Sequence, residues 1–315
     1  MSDESEPLAT SAREVAVGVD GTPSGDTALE WANMFAERTA AALRIVSVVD
    51  VGIAGAISPA YADARARAVS SVLEHAHASS LVPAVTVSRE FGRVVPGLIA
   101  QSRNAAAVVI GTDKTGVIAG LIHGTVPLKL AGTTEVPLIV VPTTWQRSGG
   151  PIVIAVDEST DDRAIRFAAD TAVAFGEHLV LVHVWGVAPL VLADPEQLRR
   201  LTAELEATAR RVLDSVEARL STTHPRLAMT KVLVDGEPSL AVVEAVRSTP
   251  GAQLIVIGTR RLGPVGSLLL GSVGHDLLMN MPCPVAVVPP THVRSTHLPP
   301  THLPPIHTPQ TDKEN

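Results

Sequence analysis

Two stretches of the sequence combine residue types that suit the binding of a phosphate group. In each, an apolar run ends in Gly-Thr, a basic residue stands three places after that glycine, and Gly-Thr or Gly-Ser follows ten places later. These later pairs, Gly124-Thr125 and Gly271-Ser272, come directly before helical patterns. The first backbone N–H groups of a helix lack partners within it, and together with the helix dipole they favour an anion. The sequence therefore predicts a phosphate cradle in two copies.

Purely structural roles would also explain these residues one at a time. Glycine before Thr or Ser is an ordinary way into a helix, and Gly111 and Gly258 would simply end their strands. Asp20 and Asp157, which follow the first strand of each copy, are common turn residues. A single copy of the pattern would favour these structural roles, whereas two matched copies favour a nucleotide pocket.

The signatures of several enzyme classes are missing from the sequence. It has no G-x-x-x-x-G-K-[ST] phosphate loop, no G-x-G-x-x-G fingerprint after a first strand and no G-x-S-x-G nucleophile elbow. No general base stands out, since His123 in the first copy is replaced by Leu270 in the second. His183 suits a core or turn position, and Cys283 suits a small buried residue. We therefore expect a binding protein rather than an enzyme.

The composition limits the kinds of binding partner and the cellular compartment that we expect for the protein. The chain of 315 residues has a formal net charge of −7, which provides no electrostatic footprint for nucleic acid. No apolar run approaches the ~20 residues that span a bilayer, and the acidic N-terminus lacks the apolar segment of a signal peptide. One cysteine excludes a disulfide within the chain and suits a reducing compartment. We expect a cytoplasmic protein that binds neither nucleic acid nor membrane.

The candidate phosphate-binding residues lie within a longer internal repeat. Residues 15–32 match residues 152–169, and three further pairs of segments match in the same order, which indicates a tandem duplication. In each copy, short β-branched runs alternate with helical patterns, as in βαβ units. Strands are expected near residues 15–20, 43–49, 84–89, 106–111, 136–141, 152–157, 179–184, 228–234, 253–258 and 284–288. The fold class is α/β, with two tandem doubly wound domains that each have a five-stranded parallel sheet.

One helix start and the domain boundaries can also be placed. Asp194 followed by Pro195 predicts the start of a long helix. The apolar stripe of that helix is expected at Leu198, Leu201, Leu205, Val212, Val216 and Leu220. The chain is expected to divide into a disordered N-terminus, a first domain, a linker, a second domain and a disordered Pro/His-rich tail, at residues 1–12, 13–143, 144–150, 151–290 and 291–315.

On these residues the chain resembles the universal stress protein family, in the tandem form common in actinobacteria. Nucleotide-binding members carry Gly, two residues, Gly, nine residues, Gly, then Ser or Thr, and an Asp ends their first strand. The resemblance implies an adenine nucleotide alpha hydrolase-like fold and ATP, with or without Mg²⁺, as the cofactor. In the family, a Val ending the second strand lies against the adenine, and the residue after the motif offers its N–H to phosphate. The implied cofactor-binding residues are Gly18, Asp20, Val48, Gly111, Lys114, Gly124, Thr125, Val126, Ala155, Asp157, Val184, Gly258, Arg261, Gly271, Ser272 and Val273.

The chain departs from the family pattern at the second glycine of the motif, where it has Lys114 and Arg261. If that glycine has a positive φ, a side chain there costs about 1–2 kcal/mol. A cation facing the phosphates would gain about 1.5–3 kcal/mol for each charge-assisted hydrogen bond. The two effects are similar in size, so the sequence does not decide whether Lys114 and Arg261 strengthen or weaken nucleotide binding. The second copy is also expected to have one residue fewer between its first strand and the following helix.

The leading hypothesis is an ATP-binding regulator of the stress response with little or no hydrolysis. The alternative is an interaction or scaffold module whose pockets have decayed, which the substituted glycines favour. By resemblance, the fifth strands at Val136–Val141 and Pro284–Val288 would pair and join the two copies, which would also cover their apolar edges. The sequence does not decide between a single chain and a homodimer, and it identifies no protein partner.

Overall fold

The computed structural model describes residues 13–50, 59–80, 82–113, 125–186, 194–262 and 267–291. The expected disordered N-terminus, and the Pro/His-rich tail from residue 292 onwards, lie outside the described residues. Lys114, Gly124 and His123 do as well. Among the described residues, no helix is both long and apolar enough to cross a membrane.

The first copy alternates strands and helices throughout. In chain order these are β1 (Glu14–Gly18), α1 (Pro23–Thr39), β2 (Ala42–Val49), α2 (Pro59–Ala78), β3 (Val85–Phe91), α3 (Val94–Ser102), β4 (Ala107–Thr112), α4 (Thr125–Ala131) and β5 (Leu138–Pro142).

The second copy repeats this order, and a small antiparallel hairpin is described after its fourth main strand. Its elements are β6 (Ile152–Ala155), α5 (Asp162–Phe175), β7 (Leu179–Trp185), α6 (Pro195–Thr223), β8 (Met229–Asp235), α7 (Pro238–Arg247), β9 (Leu254–Gly258), β10 (Arg260–Leu262), β11 (Ser267–Leu269), α8 (Gly271–Met279) and β12 (Val285–Val288). The sequence patterns did not predict the β10–β11 hairpin.

One ten-stranded sheet contains all the main strands, in the order β3-β2-β1-β4-β5-β12-β9-β6-β7-β8. Neighbouring strands within each copy are parallel. Helices cover both faces, so the central strands are apolar along their length: residues 107–110 of β4 and 254–257 of β9 are buried throughout. The predicted fold class of two tandem doubly wound α/β units is confirmed.

The loops after the first strands differ from the expectation. Helix α1 begins three residues after Asp20, whereas α5 begins five residues after Asp157. The expected shorter approach in the second copy is therefore wrong. The difference follows from the capping residue. Thr22 caps α1 by accepting the N–H of Gly25 at 3.3 Å, whereas Asp161 caps α5 by accepting the N–H of Arg163 at 2.8 Å.

Helix α6 begins as predicted, with the Asp194 carboxylate accepting the N–H of Glu196 at 2.9 Å. Its apolar stripe is only partly as expected. Leu198 and Leu205 are exposed. The residues of α6 that are buried against the sheet are Ala209, Leu213, Val216 and Leu220. Leu213 thus takes the buried position that was assigned to Val212.

Cys283 is buried just before β12, as its position between two prolines suggested. Burial raises the pKa of the thiol to about 12. The thiolate, which is the reactive form of cysteine, is therefore not populated at neutral pH.

The two copies are joined by the antiparallel pairing of β5 with β12, as the resemblance implied. Val140 lies opposite Val285, and Leu138 lies opposite Val287. Because this pairing is antiparallel, the strands of the two copies run in opposite directions. The carboxyl ends of the two sets of parallel strands therefore lie at opposite edges of the sheet.

Aromatic side chains gather where the copies meet, although they make up only 3% of the chain. Phe35 of α1 stacks on Trp31 at 5.0 Å between ring centroids. It also contacts Phe167 and Phe175 of the second copy, at 6.3 and 6.0 Å. The Arg38 guanidinium lies 4.7 Å from the centroid of the Phe175 ring and donates to the Phe175 carbonyl at 3.0 Å. This cluster packs α1 against α5.

Substitution Phe35→Ala tests how strongly the aromatic cluster holds the copies together. Because Phe35 is buried and contacts rings in both copies, we expect a loss of about 3–5 kcal/mol in the free energy of unfolding. Guanidinium chloride unfolding measures this loss. The control Val173→Ala, at an exposed position on α5, should change stability by less than about 0.5 kcal/mol. Equal effects of the two substitutions would contradict the assigned role of the cluster.

Candidate functional site

Each copy has a cleft at the carboxyl ends of its parallel strands. The chain passes from β1 outward to β2 and β3 and then returns to β4 on the other side of β1, so strand order reverses between β1 and β4. The second copy repeats this reversal between β6 and β9. In open α/β sheets, ligands bind at such a reversal. The clefts measure about 600 Å³ in the first copy and about 570 Å³ in the second, within the range of small-molecule sites.

The first cleft, between β1 and β4, is lined by five of the eight residues that the sequence proposed for this copy. These are Gly18, Asp20, Val48, Gly111 and Val126. Thr125 begins α4, but nothing is described of its side chain. The remaining two candidates, Lys114 and Gly124, lie outside the described residues. The cleft is therefore assembled from the ends of β1, β2 and β4, as the sequence reasoning required.

The second cleft, between β6 and β9, is lined by seven of the eight residues proposed for this copy. These are Ala155, Asp157, Val184, Gly258, Gly271, Ser272 and Val273. The eighth, Arg261, lies in β10 with its Cα opposite Leu268, and only its backbone is described. A residue in an extended strand has a negative φ. The strain of about 1–2 kcal/mol considered for a positive φ at this position therefore does not arise in the second copy.

The start of α8 offers backbone N–H groups to the second cleft. Four helices, α1, α5, α6 and α7, begin with a side chain that accepts a backbone N–H. Among the described residues no side chain caps α3 or α8, whose N-cap residues are Arg93 and Leu270. Gly271 has a φ of +73°, and a Cβ there would meet no atom of a described residue within 4 Å. Space for a ligand therefore lies beside N–H groups that favour an anion.

Asp157 is held in its charged form at the mouth of the second cleft. Its carboxylate accepts the N–H and the hydroxyl of Ser159, both at 2.8 Å, and the hydroxyl of Thr160 at 3.0 Å. It also forms an ion pair with Arg260. Burial raises the pKa of the carboxyl, but these hydrogen bonds and the Arg260 charge outweigh burial, so the pKa lies below its ordinary value.

Asp20 in the first cleft has a similar turn but different partners. It accepts the N–H of Thr22 at 3.1 Å and the Thr22 hydroxyl at 2.6 Å. Both aspartates are thus turn residues in structure, as the alternative interpretation held, and both also line a cleft.

His183 lies in the wall of the second cleft and is buried. Its Nδ1 is 2.6 Å from the carbonyl oxygen of Val156, and because a carbonyl only accepts, Nδ1 donates its proton. This hydrogen bond ties β7 to the end of β6. It gives His183 the structural role that the sequence favoured.

Arg260 and Thr259 are among the residues of the second cleft that the sequence reasoning missed. Arg260 forms the ion pair with Asp157, whereas the motif pattern selects the next residue, Arg261. Thr259 lines the cleft, and its buried hydroxyl has no hydrogen-bond partner among the described residues. The pair of arginines was visible in the sequence, but their alternation on a strand was not, because the β10–β11 hairpin was not predicted.

The motif glycines Gly111 and Gly258 occupy equivalent positions for different physical reasons. A Cβ on Gly111 would lie 1.8 Å from the carbonyl oxygen of Ser24, at the start of α1. A Cβ on Gly258 would come no closer than 3.7 Å to Ala164, which is an ordinary contact. The short loop before α1 brings its first turn against β4, so only glycine fits at position 111.

Substitutions Gly111→Ala and Gly258→Ala form a matched test of this difference. The first should reduce the free energy of unfolding by about 1–3 kcal/mol, because α1 must move away from β4. The second should change it by less than about 1 kcal/mol. Urea unfolding of both variants measures the effect. A similar loss in the two variants would show that the Ser24 contact is not the reason for glycine at position 111.

The fold and the clefts define a duplicated, doubly wound α/β protein with a cleft of small-molecule size in the described part of each copy. Residues 12–142 and 150–289 each match the model of the universal stress protein family. The chain therefore belongs to this family, as the sequence motifs suggested, and it carries two copies of the family unit.

Relatives share this tandem arrangement. A universal stress protein of Mycobacterium tuberculosis is 30% identical over 304 residues, covering 87% of this chain and 94% of the relative. A second one from the same species is 26% identical over 295 residues, covering 87% and 95%. The crystal structure of a universal stress protein from Archaeoglobus fulgidus has a TM-score of 0.65 at 18% identity, covering 89% of this chain and 99% of that one. The structural likeness supports the fold, and the family match supports the duplication.

Proposed function

We propose that this protein binds ATP in its two clefts and acts as a nucleotide-dependent regulator in the stress response, with little or no hydrolysis. One observation carries the proposal. In each copy, the strand reversal brings the Asp after the first strand, the Val of the second strand and the glycine of the fourth strand into one cleft of nucleotide size.

The second cleft offers complementary groups along its length. Val184 and Val242 give an apolar wall that suits an adenine ring. Asp157 remains ionised and can accept hydrogen bonds from the nucleoside. The uncapped start of α8 suits the phosphates. Mg²⁺ would arrive on the phosphates, since no group of three or more His, Cys, Asp or Glu side chains in the described ranges is placed to hold a metal.

The first cleft supports the same proposal at its nucleoside end. Val48 and Asp20 line it in positions that match Val184 and Asp157. The part of the motif that suits the phosphates falls within residues 114–124, outside the described residues. Binding in the first copy therefore rests on the sequence motif and on the shared cleft geometry.

The engagement of Asp157 supports binding without turnover. A general base needs a pKa near the working pH and a free lone pair directed at the attacking water. Asp157 has a lowered pKa and already accepts hydrogen bonds from Ser159 and Thr160. We therefore propose that the protein binds ATP without hydrolysing it, and that a partner protein distinguishes the ATP-bound form from the free form.

ATP titration of the wild type and of Gly271→Asp tests the proposal. A micromolar Kd for ATP corresponds to a binding free energy of about 8 kcal/mol. The carboxylate of the variant would lie at the uncapped start of α8 and repel the phosphates, so we expect binding in the second cleft to weaken at least about tenfold. Isothermal titration calorimetry gives the affinities. ATP released from the denatured, freshly purified protein gives the occupancy of each chain.

Gly176→Asp is the matched control for this experiment. Gly176 has a φ of +71°, and a Cβ there also meets nothing within 4 Å, but it lies at the end of α5 outside both clefts. The two variants therefore carry the same backbone strain and the same added charge. A wild-type Kd weaker than about 1 mM that Gly271→Asp leaves unchanged would overturn the proposal and favour a scaffold module with decayed pockets.

A further inference from the structure

An ion pair spans the mouth of the second cleft. Asp157 follows β6 and Arg260 begins the β10–β11 hairpin, and both line the cleft. The side chains are 38% and 64% exposed. An ion pair with this exposure contributes little to stability, so its partners can be exchanged for groups of a ligand.

The hairpin places Arg260 beside the uncapped start of α8. The Cα of Arg260 is paired with that of Leu269, only two residues before Gly271. Paired Cα atoms in an antiparallel hairpin are about 5 Å apart. The guanidinium can therefore leave Asp157 and reach an anion at the α8 N–H groups without moving the backbone of the hairpin.

Thr259 adds a second polar group to the same wall of the cleft. The hydroxyl of Thr259, next to Arg260, is buried and makes no hydrogen bond with any described residue. Buried hydroxyls are normally hydrogen-bonded, so the Thr259 hydroxyl, in a residue that lines the cleft, is available to a ligand that binds there. The cation and the free hydroxyl thus occupy neighbouring positions on one strand end.

The first cleft has the opposite charge at the matching position. Gly111-Thr112-Asp113 aligns with Gly258-Thr259-Arg260. Asp113 lines the first cleft together with Asp20. At this position the first cleft therefore has a carboxylate where the second has a guanidinium. Arg260 is the only Lys or Arg among the described residues that line the second cleft, and the described lining of the first cleft has none.

We propose that Arg260 is a charge latch that makes the second cleft selective for nucleotides with a polyphosphate. Arg260 pairs with Asp157 in this structure. When the polyphosphate binds beside α8, Arg260 transfers to it, because phosphate oxygens offer Arg short charge-assisted hydrogen bonds. Asp157 is then released to accept hydrogen bonds from the nucleoside. The inference rests on the proposed binding of nucleotide and adds a preference between ligands and between clefts.

Calorimetric titrations with ATP and with adenosine test the latch. Adenosine has no phosphate and so does not engage Arg260. For Arg260→Gln we expect ATP binding in the second cleft to weaken at least about tenfold, while the affinity for adenosine stays the same or rises, because the substitution frees Asp157 for the nucleoside. The salt dependence of ATP binding should also become less steep, since one cation–phosphate contact is lost. Arg147→Gln is the control, because it removes an arginine whose exposed ion pair with Glu37 lies outside both clefts.

The reciprocal variant examines the charge difference between the clefts. Asp113→Arg should raise the ATP affinity of the first cleft about tenfold and leave its adenosine affinity unchanged. An Arg260→Gln variant that binds ATP like the wild type, or that loses ATP and adenosine equally, would overturn the latch while leaving nucleotide binding in place. A wild type that binds neither ligand would instead overturn the proposed function, and the latch with it.

Discussion

The antiparallel pairing of β5 with β12 is the contact on which the rest of the structure depends. Both strands are buried along their length, and each would be an apolar sheet edge without the other. The pairing brings α1 and α5 side by side, which lets the rings around Phe35 pack together. It also makes the parallel strands of one copy run in the opposite direction to those of the other copy. The direction in which each cleft opens is thus a consequence of one strand pair.

Much of this architecture could be predicted from the sequence because buried parallel strands leave a strong pattern. The apolar runs that became β4 and β9 are bounded by glycine on one side and by turn residues on the other. The grouping of the cleft residues followed from topology, since strand ends on either side of a reversal must meet. The repeat helped, because a pattern that is ambiguous once is less ambiguous when it recurs in register.

The features that the sequence did not predict depend on competition between neighbouring residues for the same structural role, which a sequence pattern does not resolve. Ser159, Thr160 and Asp161 are all able to cap a helix, and only the packing of α5 selects Asp161. The β10–β11 hairpin has little β-branched character, so its pairing is a matter of tertiary context. Gly111 and Gly258 show the same limit. One motif position is enforced by a backbone contact in one copy and left sterically open in the other.

The two copies within one chain need not be identical, unlike the two subunits of a symmetric homodimer. Two identical chains joined through their fifth strands would have two identical clefts, because a two-fold axis repeats every residue. Here each half has its own codons, so Asp113 and Arg260 can stand at equivalent positions. The covalent link keeps the unlike halves together at an effective concentration that dilution does not change. Gene duplication has thus allowed an asymmetric pair to form reliably without any mechanism for sorting partners.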